Sequence, residues 1–176
     1  DRNGSAESTD RAAGAAAAES AAPAGAADAD GAGAGPLLLL EPGNRWETDL
    51  VVTVEDGIAV RRELGNPARF GFVVDTGHCH INQEPLSDIP VRLGNVPVHY
   101  HIDDNRGTTD DHLIPGGGTM RYDAFLESVV LSGYTGALAV ELGFGYTVDP
   151  DSAALESVRW MRSAFARAVD AVRSHG

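Results

Sequence analysis

The sequence predicts an α/β fold of repeated parallel strand–helix units, and three observations carry that expectation. Four short apolar runs recur along the chain: Leu37–Leu40, Phe70–Val74, Val96–Tyr100 and Ala137–Val140. They are continuous rather than alternating, as strands buried on both faces of a parallel sheet read. A segment of helical periodicity follows each run, which is the alternation of an α/β protein. Each run also ends on an acidic residue or a histidine, namely Glu41, Asp75, His101 and Glu141, at separations of 34, 26 and 40 residues. A full (β/α)₈ barrel takes about 250 residues, so the four units between residues 36 and 176 amount to half of one.

The elements follow in order. After Glu41 comes the loop Pro42-Gly43-Asn44, then a helix expected over Glu47–Leu64. Leu50, Val54 and Ile58 line one face of it, and Gly65-Asn66-Pro67 stops it. A polar loop is expected from Thr76 to Glu84, and a short helix through Leu86, Ile89 and Leu93 to Gly94. The longest loop runs from His101 to Thr119 and contains Pro115-Gly116-Gly117-Gly118. Tyr122–Ser132 reads as a helix with Phe125, Leu126, Val129 and Val130 inward and a glycine stop at Gly133. Asp149-Pro150-Asp151-Ser152 is a helix start, and the last helix is expected from Ala153 to about Arg173.

Composition divides the chain. The first 36 residues hold 15 Ala and 6 Gly and no Val, Leu, Ile, Phe, Tyr or Trp. Burial there cannot offset the entropy of ordering, so residues 1–35 are expected to be a disordered low-complexity segment and residues 36–176 the folded domain. Net charge is −13, and the chain has no lysine. Schiff-base chemistry and P-loop phosphate binding are thereby excluded, and an acidic surface predicts no nucleic-acid and no membrane partner. A single cysteine, Cys79, fits a reducing compartment. No apolar stretch approaches the length that spans a bilayer. The expected location is the cytoplasm.

The four strand ends carry the chemistry. In parallel barrels the C-terminal ends of strands share one rim, where active sites are built. Two glutamates, an aspartate and a histidine meeting there suit one divalent metal ion, with carboxylates to spare for moving a proton. Three local clusters add to them. Asp75-Thr76-Gly77-His78 places a carboxylate and an imidazole across a small turn. In His99-Tyr100-His101-Ile102-Asp103-Asp104-Asn105-Arg106, the two histidines share a strand face and Arg106 can hold an anionic or hydroxylated substrate. Asp110-Asp111-His112, before the glycine run, offers a carboxylate and an imidazole for metal or substrate. Plainer readings stand beside these: Asp75 and His78 bracing a loop, Glu41 as an exposed turn residue, His99 packed inside the sheet, and Asp103 and Asp104 as loop solvation or helix capping.

These motifs resemble the C-terminal half of the xylose isomerase-like (β/α)₈ superfamily, which includes sugar phosphate isomerases and epimerases, inosose dehydratase and endonuclease IV. The matching stretches are Leu-Leu-Leu-Glu41-Pro-Gly-Asn-Arg45, Val-Val-Asp75-Thr-Gly-His78, Val-His-Tyr-His101-Ile-Asp-Asp-Asn-Arg106, Asp110-Asp-His112-Leu-Ile-Pro-Gly-Gly-Gly and Gly133-Tyr-Thr-Gly-Ala-Leu-Ala-Val-Glu141. The resemblance implies that Glu41, Asp75, His101 and Glu141 ligate one Mn, Mg, Co or Zn ion. It implies that Glu41 and Glu141 are also the acid/base pair of an isomerase or epimerase of a small sugar, sugar phosphate or related hydroxy-carbonyl compound. His78, Arg106 and His112 would then bind substrate, and Asp110 and His112 are possible additional metal ligands, as in the endonuclease IV branch. A zinc phosphodiesterase would need more histidines and a basic groove. A lyase or dehydratase starts with the same proton abstraction. The remaining alternative is a truncated or partner-requiring half-barrel, inactive alone, since open edges at the first and last strands call for a homo-oligomer or the missing barrel half.

Overall fold

A computed structural model of the chain describes residues 36–175, so the expectation for residues 1–35 lies outside the described residues. Four parallel strands form one sheet in the order β1-β2-β3-β4. They are β1 (Leu38–Leu40), β2 (Phe70–Asp75), β3 (Val98–Ile102) and β4 (Leu138–Val140). Between and after them come α1 (Val54–Glu63), α2 (Thr76–Asn82), α3 (Ile89–Leu93), α4 (Tyr122–Leu131) and α5 (Pro150–His175). The order is the one expected of consecutive βα units, in which each strand pairs with its sequence neighbour.

The two sheet faces differ in kind. Phe70, Phe72 and Val74 of β2 and Tyr100 and Ile102 of β3 are buried in the core beneath the helices. Val54, Phe125, Leu126, Val129 and Met161 meet them from the helical side. Tyr100 sits at the centre, with edge-to-face contacts to Phe125 at 5.5 Å and Tyr134 at 5.1 Å. Because successive side chains alternate across a strand, His99 and His101 project from the other face, which corresponds to the interior wall of a barrel. Register then aligns the chemistry: Asp75 pairs with His101, Leu40 with Phe72 and Ile102 with Val140. Glu41 and Glu141, one residue beyond β1 and β4, reach the same rim.

Two elements depart from the sequence expectation. The first helix begins at Val54, not Glu47. Thr53 and Asp56 form a capping box: the Thr53 hydroxyl accepts from the Asp56 N–H at 3.1 Å, and the Asp56 carboxylate accepts from the Thr53 N–H at 2.8 Å. Upstream, the Asn44 carbonyl accepts from the N–H groups of Glu47 and Thr48 in a single turn that is not continued into α1. Leu50 consequently points to solvent, 84% exposed. The second departure is α2, where a loop was expected. Asp75 caps it by accepting from the His78 N–H at 2.8 Å, so the strand passes into a helix with no intervening loop.

Thr53→Ala is expected to lower stability by about 1 kcal/mol, the usual cost of losing an N-cap, read as a fall in the thermal denaturation midpoint. The Thr53 backbone and hydroxyl hold the Asp56 carboxyl below its ordinary pKa. That contribution is present above the unfolded carboxylate pKa and is lost as pH falls through the folded one. The gap between variant and parent should therefore narrow in acid.

Candidate metal centre

The four strand-end groups converge. His101 Nδ1 lies 2.5 Å from Glu141 Oε2, 3.5 Å from Glu41 Oε1 and 3.9 Å from Asp75 Oδ2. One donor atom from each of the four residues falls within 4.8 Å of every other. Asp75 is the anchor. Its side chain is fully buried, and its two oxygens have different duties. Oδ1 caps α2, whereas Oδ2 is buried without a hydrogen-bond partner, and His101 Nδ1 is buried against the Glu141 carboxylate without the alignment of a hydrogen bond. Buried polar atoms are ordinarily paired, so these two atoms, facing one another with two glutamates beside them, fit a cation between them. Three carboxylate oxygens and one imidazole nitrogen suit Mn²⁺, Mg²⁺, Co²⁺ or Zn²⁺. Burial, and then the nearby Asp103 carboxylate, pushes the Asp75 carboxyl up to about 8. A divalent ion would reverse that shift by favouring the carboxylate.

A second network adjoins the first. His78 Nδ1 lies 3.1 Å from the Pro42 carbonyl, while Nε2 lies 3.1 Å from Asp110 Oδ2 and 3.4 Å from Glu47 Oε2. His112 places Nε2 3.3 Å from Asp110 Oδ2 and Nδ1 3.3 Å from Asp103 Oδ2. With an acceptor at both nitrogens, each ring is best satisfied as imidazolium. Burial opposes charge on His78, but its bond to Asp110 and the field of Asp75 outweigh that and raise it to about 9. The adjacent carboxylates of Asp103 and Asp110 raise His112 to about 11. Asp110 is partly desolvated, yet the two histidines hold its carboxyl well below the usual range.

The structure thus brings Glu41, Asp75, His101 and Glu141 into one group, with His78, Asp110 and His112 in the next. Arg106 stands apart: its side chain is exposed, with Nη1 3.8 Å from Asp111 Oδ2. Asp103 and Asp104 do not solvate a loop, because both are fully buried. Asp103 accepts from the Gly77 N–H at 2.8 Å and lies beside the Thr76 hydroxyl, tying β3 to the start of α2. A side chain at Gly77 would strike that carboxylate. Sequence reasoning also missed Glu47 and Asn44. Asn44 is fully buried, donates to Asp110 Oδ2 at 3.2 Å and accepts from the Trp46 N–H, which turns Glu47 toward His78. The available signal was the Pro42-Gly43-Asn44 turn directly after Glu41.

The fold has clear relatives. A family model described as the xylose isomerase-like TIM barrel matches residues 4–164. The chain belongs to that family. It is 29% identical over 126 residues to fructoselysine 3-epimerase of Escherichia coli O157:H7, covering 72% of this chain and 46% of that protein. Identity to 3-dehydro-D-guloside 4-epimerase of Escherichia coli K12 is 28% over 130 residues, 73% of this chain and 47% of the other. Among solved structures, a xylose isomerase domain protein from Alicyclobacillus acidocaldarius superposes with a TM-score of 0.62 at 26% identity, covering 74% of this chain and 50% of that one. An L-ribulose 3-epimerase shares the fold, with a TM-score of 0.65 at 18% identity over 79% of this chain and 50% of the other. The chain spans about half the length of the curated relatives it matches. No helix among the described residues is long and apolar enough to cross a membrane.

Proposed function

We propose that this chain is the metal-binding half of an isomerase or epimerase that acts on a small sugar or related hydroxy-carbonyl compound. The observation that carries the reading is the convergence of four donor atoms from Glu41, Asp75, His101 and Glu141 within 4.8 Å of one another, with the buried Asp75 Oδ2 left without a hydrogen-bond partner. A divalent ion held by these four residues would supply positive charge to stabilise the negative charge that develops on a substrate oxygen. The chain's own residues do the rest. Asp75 and His101 come from the two central strands, and Glu41 and Glu141 from the two outer ones, so the glutamates flank the centre from opposite sides. One carboxylate removes the proton from the carbon beside the carbonyl, and the other delivers a proton to the opposite face of that carbon. The Nε2–H groups of His78 and His112, which both face Asp110, turn to donate to substrate hydroxyl or carbonyl oxygens while Nδ1 keeps each ring anchored, and Arg106 donates from the outer lip. In this reading Asp110 and His112, with His78 and Glu47, form the neighbouring polar wall.

The reading includes a partner. Among the described residues β1 and β4 each pair on one side only, and Leu37 and Leu38 are 46% and 62% exposed. Four further strands, from a second copy or from the barrel's other half, would cover those edges and close the opposite wall over the substrate. Excluding water there strengthens every charge interaction in the site.

The test joins metal binding to isotope exchange. Titration with Mn²⁺, followed by incubation with a small ketose in D₂O, is expected to give saturable binding and deuterium at the carbon beside the carbonyl. Failure to bind any divalent ion would overturn the proposal. Binding without exchange in the isolated chain, and exchange once the other half is supplied, would identify the partner-requiring form.

A further inference from the structure

We infer that Asp104 is a positioning residue that sets the His112 imidazole through the backbone of the long β3–α4 loop. This inference rests on the preceding reading only for the substrate contact assigned to His112. His112 has a left-handed backbone, φ +42°, a conformation costly for any residue with a Cβ and held only where its surroundings dictate it. From that conformation its ring spans Asp110 and Asp103, two carboxylates on opposite sides of the loop.

The surroundings that dictate it converge on Asp104. The residue after His112 is locked to Asp104 by a two-way backbone pairing: the Asp104 N–H donates to the Leu113 carbonyl at 2.9 Å, and the Leu113 N–H returns a bond to the Asp104 carbonyl at 2.7 Å. The Asp104 carboxylate, fully buried, then gathers three N–H groups from the rest of the loop. Oδ1 accepts from Asn105 at 2.8 Å and Met120 at 3.2 Å, and Oδ2 accepts from Gly116 at 3.0 Å. Met120 lies at the loop's end, Gly116 past its middle and Asn105 at its start, so one side chain fastens the loop at three points. Asn105 extends the clamp by donating to the Gly77 carbonyl at 3.0 Å. A Cβ at Gly118 would approach Asp104 Oδ1 to 2.2 Å, so that glycine lets the chain fold down onto the carboxylate. Charge-assisted bonds to backbone N–H groups are the strong kind, and among the described residues only backbone N–H groups donate to the Asp104 carboxylate. It acts on the loop alone.

Asp104→Asn keeps the shape but turns one acceptor oxygen into an NH₂ group that faces an N–H. The full chain with diamagnetic Mg²⁺ is the sample for ¹⁵N signals of the histidine rings, the first readout, and Mn²⁺ affinity is measured separately by titration. The His112 ring N–H resonances are expected to shift and to exchange faster with solvent as the ring loses its fixed place between Asp103 and Asp110. Those of His101, and the Mn²⁺ dissociation constant, should stay within about twofold of the parent. In the form that turns over, KM for the ketose should rise about tenfold, one lost hydrogen bond, with kcat nearly unchanged, as for uniform binding. Gly118→Ala, whose methyl group crowds Asp104 Oδ1 and the Asn105 carbonyl without altering charge, should reproduce the His112 change if Asp104→Asn does not fold. Unmoved His112 signals in either folded variant would overturn the inference. So would a matching shift at His101 with weakened Mn²⁺ binding, since that would mark Asp104 as a general structural residue. Altered His112 signals with no turnover would leave the clamp standing and count against the proposed reaction instead.

Discussion

Glu141→Gln is expected to abolish epimerisation, with a rate loss of about 10²–10⁴, the range spanned by a positioned general acid or base. The substitution keeps the volume and one oxygen beside His101 Nδ1, now 2.5 Å from the carboxylate, but removes the negative charge and the capacity to take a proton. Glu41→Gln should do the same from the other side, because the two residues stand on the outer strands of the four-stranded rim. Their exchange behaviour separates the roles. With one base on each face of the carbon, loss of either stops interconversion, while the surviving base still exchanges solvent deuterium into the one epimer whose hydrogen it faces. The two variants should therefore exchange opposite epimers. Mass spectrometry of each epimer after incubation in D₂O, using whichever form of the protein turns over, reads this directly. Exchange of both epimers by one variant at the parent rate would remove that glutamate from the chemistry.

The strands were legible because burial on both faces leaves a local mark. Phe70–Val74 and Val96–Tyr100 are apolar without alternation, and the residue that ends such a run stands on the rim. Register did the remainder, setting Asp75 opposite His101, so that residues 100 positions apart in sequence, Glu41 and Glu141, meet at one histidine. What stayed hidden depends on partners far along the chain. Leu50 fits a helical face on spacing alone, yet the Thr53–Asp56 capping box starts the helix later. Asp103 and Asp104 look like solvated loop carboxylates in the sequence. Their burial depends on N–H groups at Gly77, Gly116 and Met120, which no local pattern announces. Asn44 reads as a turn residue, and only folding sets it against Asp110, 66 positions away. Local patterning encodes which way a side chain faces. It does not encode which distant backbone group will receive it.

Asp75→Asn should weaken Mn²⁺ binding by about 100-fold or more, since even a partner one shell removed from a metal typically costs 10–100-fold. The same variant should nevertheless leave the metal-free protein at least as stable as the parent at pH 8. Asparagine still offers an oxygen to cap α2 through the His78 N–H, and it removes a buried carboxylate that resists ionisation. The sign follows from the raised pKa. Without metal the Asp75 carboxyl titrates at about 8 in the folded chain and near its ordinary value of about 3.9 when unfolded. Its contribution is therefore intact below about pH 4 and declines as pH rises toward 8, because the unfolded state ionises more readily. Divalent metal acts in the opposite direction, binding the ionised group and stabilising the native state in proportion to occupancy. Thermal midpoints of parent and variant between pH 5 and 9, with and without Mn²⁺, should show the parent gaining more from metal as pH rises and the variant gaining little at any pH. A parent whose midpoint responds to Mn²⁺ equally at pH 5 and pH 8 would show that Asp75 is not among the groups the metal must deprotonate.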